Sequence, residues 1–343
     1  MTLIKQSVGR FQAWTQSGTY DNTIQKWTSR FRNLIIGICI AIIVTGVCYI
    51  ILSPIIGVLS RAFMSSQDLA NPLIFLIPQN FTLENVGFAL QYMNYGTTLL
   101  TTLLFAFSFT LIHVFIASLV GYGFARFKFP FSNALFALVI ITIVVPVQTY
   151  MVPMFLNFRF FMGQADWNLL GAVNMPFLFF NMEDGLYITW LPVFSWSMLI
   201  LAFGGVGLRS GLYIYIFRQF FRGLPKEIEE AAFIDGAGTF YTYSKVMMPN
   251  AVPAIVTVSL FAFVWHYNDT FFSSLLMTGN RFMSTMLVSL GPTFNVMENV
   301  NNPLVTQLVV FAGVLLAIAP ILTIYLFLQR YFIEGLERSG IVG

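Results

Sequence analysis

Long apolar runs organise this chain. Residues 34–59, 98–125, 134–156, 190–217, 251–277 and 304–328 are each predominantly apolar over at least the ~20 residues that a helix needs to cross a bilayer. The pattern predicts an all-α integral membrane protein with six transmembrane helices. A shorter apolar stretch, Leu169–Phe180 within the connection 157–189, reads as a re-entrant or interfacial segment. Two runs are interrupted by polar residues: the fourth by Arg209, the fifth by the knot Trp265, His266, Tyr267, Asn268 and Asp269. Residues 1–33 form a leader with Trp14, Trp27 and scattered Lys and Arg, either an amphipathic helix on the inner leaflet or a polar tail. The run after it is too long for a signal-peptide core and reads as a retained anchor.

Charge orients these spans. With both termini cytoplasmic, every Lys and Arg falls on the inner side except Arg61, Arg159 and Arg281 outside and Arg209 within a span. So strong a positive-inside bias fits six crossings, and a seventh would break it.

Composition removes the other broad classes. Charged residues make up 9% of the chain, against ~25% in soluble domains, so a soluble enzyme is excluded. The net charge of +3 is too small and dispersed to imply nucleic acid. Cys39 and Cys48 lie in one apolar run, which excludes a disulfide framework and speaks against a metal cluster. No G-x-x-x-x-G-K-[ST] loop occurs, so nucleotide must be handled by a partner and no cofactor is expected. The run Gly204–Gly211 imitates a dinucleotide loop, but it lies inside a span and reads as close helix packing or an unwound turn. His113 and His266, alone among apolar residues, read as structural donors. Glu183 and Asp184 are an isolated pair and not a catalytic cluster.

The densest polar segment is the inner connection 218–250. Pro225 suits a first helical position, Glu227, Glu229 and Glu230 complement the positive end of a helix dipole, and Gly236 suits a left-handed cap. A second short helix is expected to run to Met248 and stop at Pro249. Ile228, Ala231 and Ala232, at i, i+3 and i+4, give the first helix a small apolar face. A helix so short needs a surface to dock on, either the ends of its own spans or a groove on another protein.

Arg209 and Asp269 are the charges placed inside spans, each about 12 Å from the end of its helix at 1.5 Å per residue. The fourth and fifth spans run antiparallel, so both charges lie near the midplane. They are expected to pair across the two spans or to face the translocation cavity together, unless Arg209 snorkels to the inner interface. Trp265, Tyr267, Asn268 and Asp269 have the chemistry of a sugar contact, with aromatic faces for C–H patches and amide and carboxylate for hydroxyls; the competing reading is packing, since aromatics in spans are more often packed and the chain has 38 Phe.

The segment Glu230-Ala231-Ala232, three residues, Gly236, nine residues, Val246-Met247-Met248-Pro249 resembles the EAA motif of binding-protein-dependent ATP-binding cassette (ABC) importer permeases, with Val and Met in place of the usual Ile and Leu. Phe81–Asn85, Gly123–Pro130, Pro146 and Pro153, Arg218–Phe221 and Gln329–Gly335 are similar to segments of the carbohydrate branch, that of the maltose-type second permease. The long connection from Leu156 to Trp190 and the tail without a terminal lysine depart from it.

The resemblance implies a permease fold with a cytoplasmic coupling helix. Glu230, Ala231, Ala232, Asp235, Gly236 and Pro249 would then transmit the motion of an ATPase. It further implies a second permease, two ATPase subunits, an extracytoplasmic solute-binding protein, a bacterial inner membrane and a di- or oligosaccharide as cargo. The competing readings are a non-sugar solute such as a polyol phosphate, or a self-sufficient secondary transporter. The latter should show internal repeats and several carboxylates within spans, of which only Asp269 is found.

Overall fold

Helix breaks, more than helices, shape this membrane domain. The structure, a computed structural model, describes residues 18–74, 76–164, 187–188, 191–277 and 281–340. Residues 1–60 and 61–343 form two units. The first is built on α1 (Gly18–Ala62), in which residues 18–33 continue the helix of the first apolar run. Residues 1–17 and the stretch Leu169–Phe180 lie outside the described residues.

The second unit continues with α2 (Ser66–Ala70), α3 (Glu84–Tyr92), α4 (Tyr95–Arg126), α5 (Ser132–Val144) and α6 (Val147–Gln164). A short antiparallel pair follows, β1 (Tyr187–Ile188) and β2 (Leu191–Ser195), then α7 (Trp196–Phe203), α8 (Ser210–Gly223) and α9 (Lys226–Ile234). The chain proceeds through α10 (Thr239–Asn250), α11 (Val252–Tyr267), α12 (Phe271–Leu276), α13 (Met283–Met297) and α14 (Pro303–Gly340). Among the described residues, helix dominates; β1 and β2 and one bridge between Met64 and Phe81 are the exceptions.

Among the described residues, three single helices are long and apolar enough to cross a membrane: Ser29–Ala62, Tyr95–Arg126 and Pro303–Phe327. The other expected spans are broken. α5 and α6 meet at 101°. Pro146 at that corner offers no N–H, and Val145 before it takes the extended conformation (φ −70°, ψ 121°) that proline imposes on its neighbour. The fourth run starts as β2, and its helix is interrupted between Phe203 and Ser210, where Gly205 (φ +67°) and Arg209 (φ +59°) turn left-handed. The fifth is interrupted after Tyr267, and its entry is bent by 80° between α10 and α11. Counting each of the two bent pairs as one span gives up to five crossings by length and composition. The sequence also gave no hint of α13, a helix in what reads as the connection between the fifth and sixth runs.

α4 is the axis of the unit, contributing to all three apolar clusters. Val114, Ala117 and Tyr122 join Tyr213, Phe217 and Phe221 of α8 and Tyr243 and Met247 of α10. Ala106 packs among Leu290 and Phe294 of α13 and Val309 and Ala312 of α14. Phe105 and Phe109 meet Leu201 of α7 and Phe272 and Leu276 of α12. Small residues set the spacing: a Cβ on Gly211 of α8 would lie 2.2 Å from Thr142 Oγ1 and 2.8 Å from the Val139 carbonyl of α5. Backbone approach of this kind is how helices associate where lipid removes the hydrophobic drive.

Candidate functional site

α9 begins with Pro225 at its N-cap, one position earlier than expected, and carries Glu227 and Glu229 in its first turn. It closes with Gly236 at φ +82°, its N–H donating to the Phe233 carbonyl and that of Ala237 to the Ala232 carbonyl, both at 3.0 Å. This is the double-bonded left-handed cap that glycine accommodates best.

The helix has two unlike faces. Glu229 and Ala232 are buried and Ile228 is half-buried. Glu230, Ala231, Phe233, Ile234, Asp235 and Gly236 are exposed, Ile234 at 86%. Ala231 therefore does not belong to the inward face expected from its spacing with Ile228 and Ala232. One face of the helix docks within its own chain and the other is open. The second helix appears as α10, with π-type turns over Thr242–Met247, and reaches two residues beyond Met248; exposed Pro249 lies just before the bend into α11.

α4 holds the inward face with three polar side chains one helical turn apart. Ser118 Oγ and Tyr243 Oη of α10 share a hydrogen bond at 2.7 Å. Tyr122 Oη donates to Glu229 Oε1. Arg126 Nε stands 3.2 Å from Glu229 Oε2, with the two side chains 6% and 9% exposed, and its Nη2 donates to the Leu224 carbonyl at 2.9 Å. Burial of either charge alone would be costly, and each is the other's compensation. Sequence reasoning missed this pair, assigning Glu229 to the helix dipole and Arg126 to topology. The available signal was Ser118, Tyr122 and Arg126 at i, i+4 and i+8 along one stripe at the C-terminal end of a mostly apolar run.

The midplane residues are arranged differently from expectation. Among the described residues, Arg209 and Asp269 form no ion pair. Asp269 is buried, and its Oδ1 and Oδ2 accept the backbone N–H groups of Phe272 (3.2 Å) and Ser273 (2.7 Å), capping α12. The break in the fifth span frees these donors, and the nearest carboxylate takes them. Arg209 stands at the start of α8 and lays its guanidinium over Trp265, 4.3 Å from the ring centroid.

Tyr267 is likewise buried and ties α11 to α14 by donating to the Ala317 carbonyl at 2.9 Å. Of the five residues expected along a solute path, only Arg209, Trp265 (40% exposed) and Asn268 present an open surface. Asn268 Nδ2 donates to the Val264 carbonyl at 2.9 Å, leaving its oxygen outward. The two histidines meet between α4 and α11 with ring centroids 4.8 Å apart. Each donates from Nδ1 to a carbonyl one turn back, His113 to Phe109 at 2.8 Å and His266 to Ala262 at 2.6 Å, while neither Nε2 has a hydrogen-bond partner.

Comparison with known proteins agrees with this architecture. A probable ABC transporter permease of Pyrococcus horikoshii is 28% identical over 85% of this chain and 92% of its own. An α-glucoside transport system permease of Rhizobium meliloti is 28% identical over 78% of this chain and 62% of its own. A crystal structure of a bacterial ABC transporter that imports the acidic polysaccharide alginate contains a chain of the same fold, with TM-score 0.59 and 23% identity, covering 88% of this chain and 98% of that one. The family model described as binding-protein-dependent transport system inner membrane component matches residues 113–338, from His113 on α4 through α9 and into the C-terminal part of α14. The chain belongs to this family, the inner-membrane permeases of binding-protein-dependent ABC importers.

Proposed function

We propose that this chain is a carbohydrate permease: it crosses the bacterial inner membrane six times, with both termini and the 218–250 loop in the cytoplasm. It pairs with a second, different permease, carries two ATPase subunits and receives a di- or oligosaccharide from an extracytoplasmic binding protein. α9 is the coupling helix. Glu230, Ala231, Asp235 and Gly236 lie on the face offered to the ATPase, while Ala232 seats the helix on its own bundle. Pro249 sits before the bend that carries the chain into α11. The solute passes Arg209, Trp265 and Asn268, with Tyr267 and Asp269 shaping the wall behind them.

The two-faced α9 carries this reading. A helix clamped on one side leaves Phe233 and Ile234 uncovered on the other, next to Glu230. Apolar side chains left open at the end of a bundle and rimmed by charge mark a protein-binding surface. The positive-inside sorting of Lys and Arg supports a cytoplasmic place for this loop, on the side where ATP is found. The α-glucoside permease of Rhizobium meliloti supports carbohydrate as the solute class.

The affinity-tagged chain, expressed with its neighbouring genes, should copurify with an ATPase. Ile234→Asp should lower the amount retained by about tenfold, as loss of a central interface anchor does. In proteoliposomes that include the binding protein, uptake from a panel containing ¹⁴C-maltose and an alginate oligosaccharide should stop when the ATPase is disabled. Undiminished ATPase retention by Ile234→Asp together with Glu230→Arg would refute docking through α9.

A further inference from the structure

We propose that the buried Arg126–Glu229 pair is the strut that passes the displacement of α9 into the membrane, making these two residues positioning residues of the transport cycle. The inference rests on the reading of α9 as a coupling helix. The exposed face of α9 is the one open to receive a push. What links α9 to a span is the opposite face, and there Arg126 holds the helix at two points: the Leu224 carbonyl just before its N-cap and the Glu229 carboxylate in its first turn. One is a hydrogen bond from Nη2 and the other a charge contact at Nε, so a single rigid guanidinium holds two points along α9.

Tyr122, one turn back on α4, donates to the second carboxylate oxygen, and Ser118 one turn further meets Tyr243 of α10. The same stripe of α4 therefore holds the helices on both sides of Gly236. α4 is in turn the helix shared by all three apolar clusters, so a displacement of its end is felt by α7, α8, α11, α12, α13 and α14. A buried ion pair suits this task because it resists separation and compression alike, and water does not compete for its partners at 6% and 9% exposure. Glu230, one residue on, faces away and cannot serve.

The test uses the complete transporter, with Cys39 and Cys48 replaced by alanine and spin labels at Lys128 and Lys226, both exposed. Distances are measured without nucleotide and after trapping with ATP and vanadate. In the otherwise unaltered chain the label separation should be the same in both states, because α9 and the end of α4 move together. In Glu229→Gln it should change on trapping, because α9 follows the ATPase and α4 does not. Sugar uptake per ATP, measured with the panel sugar carried by the wild type, should fall by about tenfold, within the range of coupling between distant sites. The exchange Arg126→Glu with Glu229→Arg should recover more of this ratio than either single reversal.

Three results would overturn the proposal: a Glu229→Gln separation that does not depend on nucleotide, uptake per ATP unchanged in that variant, or loss of assembly in Glu229→Gln that the charge exchange does not repair, which would make the pair a folding contact only. Failure of the wild-type chain to copurify with an ATPase would instead refute the coupling-helix reading on which the strut depends.

Discussion

The C-terminal end and the middle of α4 border buried carboxylates that are matched in opposite ways. At its C-terminal end, Glu229 is matched by a charged side chain from another helix, Arg126, and the match joins two elements. Alongside its middle, near the cluster of Phe105, Phe109 and Phe272, the Asp269 carboxylate is matched by backbone N–H groups of its own segment, and only its backbone carbonyl reaches further, accepting from Ser284 Oγ of α13. The difference follows from where the chain breaks. Glu229 sits in the first turn of α9 and turns its carboxylate to Arg126 and Tyr122 of α4 instead of to the backbone of its own helix. Asp269 sits in a break, where a new helix exposes free N–H groups within reach.

The contrast predicts how each carboxylate responds to neutralisation. Asp269→Ala leaves two N–H groups unpaired in apolar surroundings and should cost about 2 kcal/mol, read as a lowered thermal midpoint of the purified transporter. Asp269→Asn keeps an acceptor oxygen and should cost less than half as much. Equal losses in the two variants would mean that the negative charge itself is needed, which would bring Asp269 back to an ionic role like that of Glu229.

A smaller effect tests the other half of the separated pair. Arg209 and Trp265 should show a coupling of about 1 kcal/mol in a double-mutant cycle of Arg209→Gln and Trp265→Leu, the size of a partly exposed cation–π contact. The cycle of Arg209→Gln with Asp269→Asn should be additive to within about 0.5 kcal/mol. A large coupling in the second cycle would restore the cross-span pair expected from sequence.

The reading from sequence succeeded where a local backbone requirement shows in a single residue. Gly236 announces a left-handed cap, and the run Gly204–Gly211 announces either close packing or an unwound turn. It failed where phase or straightness had to be assumed. The depths of Arg209 and Asp269 were measured along unbroken helices, and both spans break at just those residues. The inward face of α9 was placed one residue off because Ala231 and Glu229 are equally compatible with a short helix until its partner, Arg126, is known. α13 was invisible because its Ser, Thr, Asn and Pro292 read as connection, while its helicity is secured by Leu290 and Phe294 packing on α3, α4 and α14.

The smallest predicted effect uses a third carboxylate, Asp68, outside the spans. Its Oδ2 accepts the Asn80 backbone N–H and its Oδ1 the Asn80 side-chain amide, both at 2.7 Å, clipping the segment before α3 to α2. The Asn80 backbone N–H, aided by the amide and by Ser65 and opposed by burial, holds the Asp68 carboxyl below the usual carboxylate range. Because the folded value is depressed, the stabilisation is fully present above the unfolded value of about 3.9 and is lost as pH falls through the lower folded value. Asn80→Ala should therefore lower the thermal midpoint at neutral pH and leave it unchanged at a pH where Asp68 is protonated in both states. Like Asp269, this carboxylate has backbone N–H among its partners; like Glu229, it joins segments distant in sequence. A deficit in Asn80→Ala that persists undiminished at low pH would show that the packing of Asn80, and not the charge on Asp68, holds that joint.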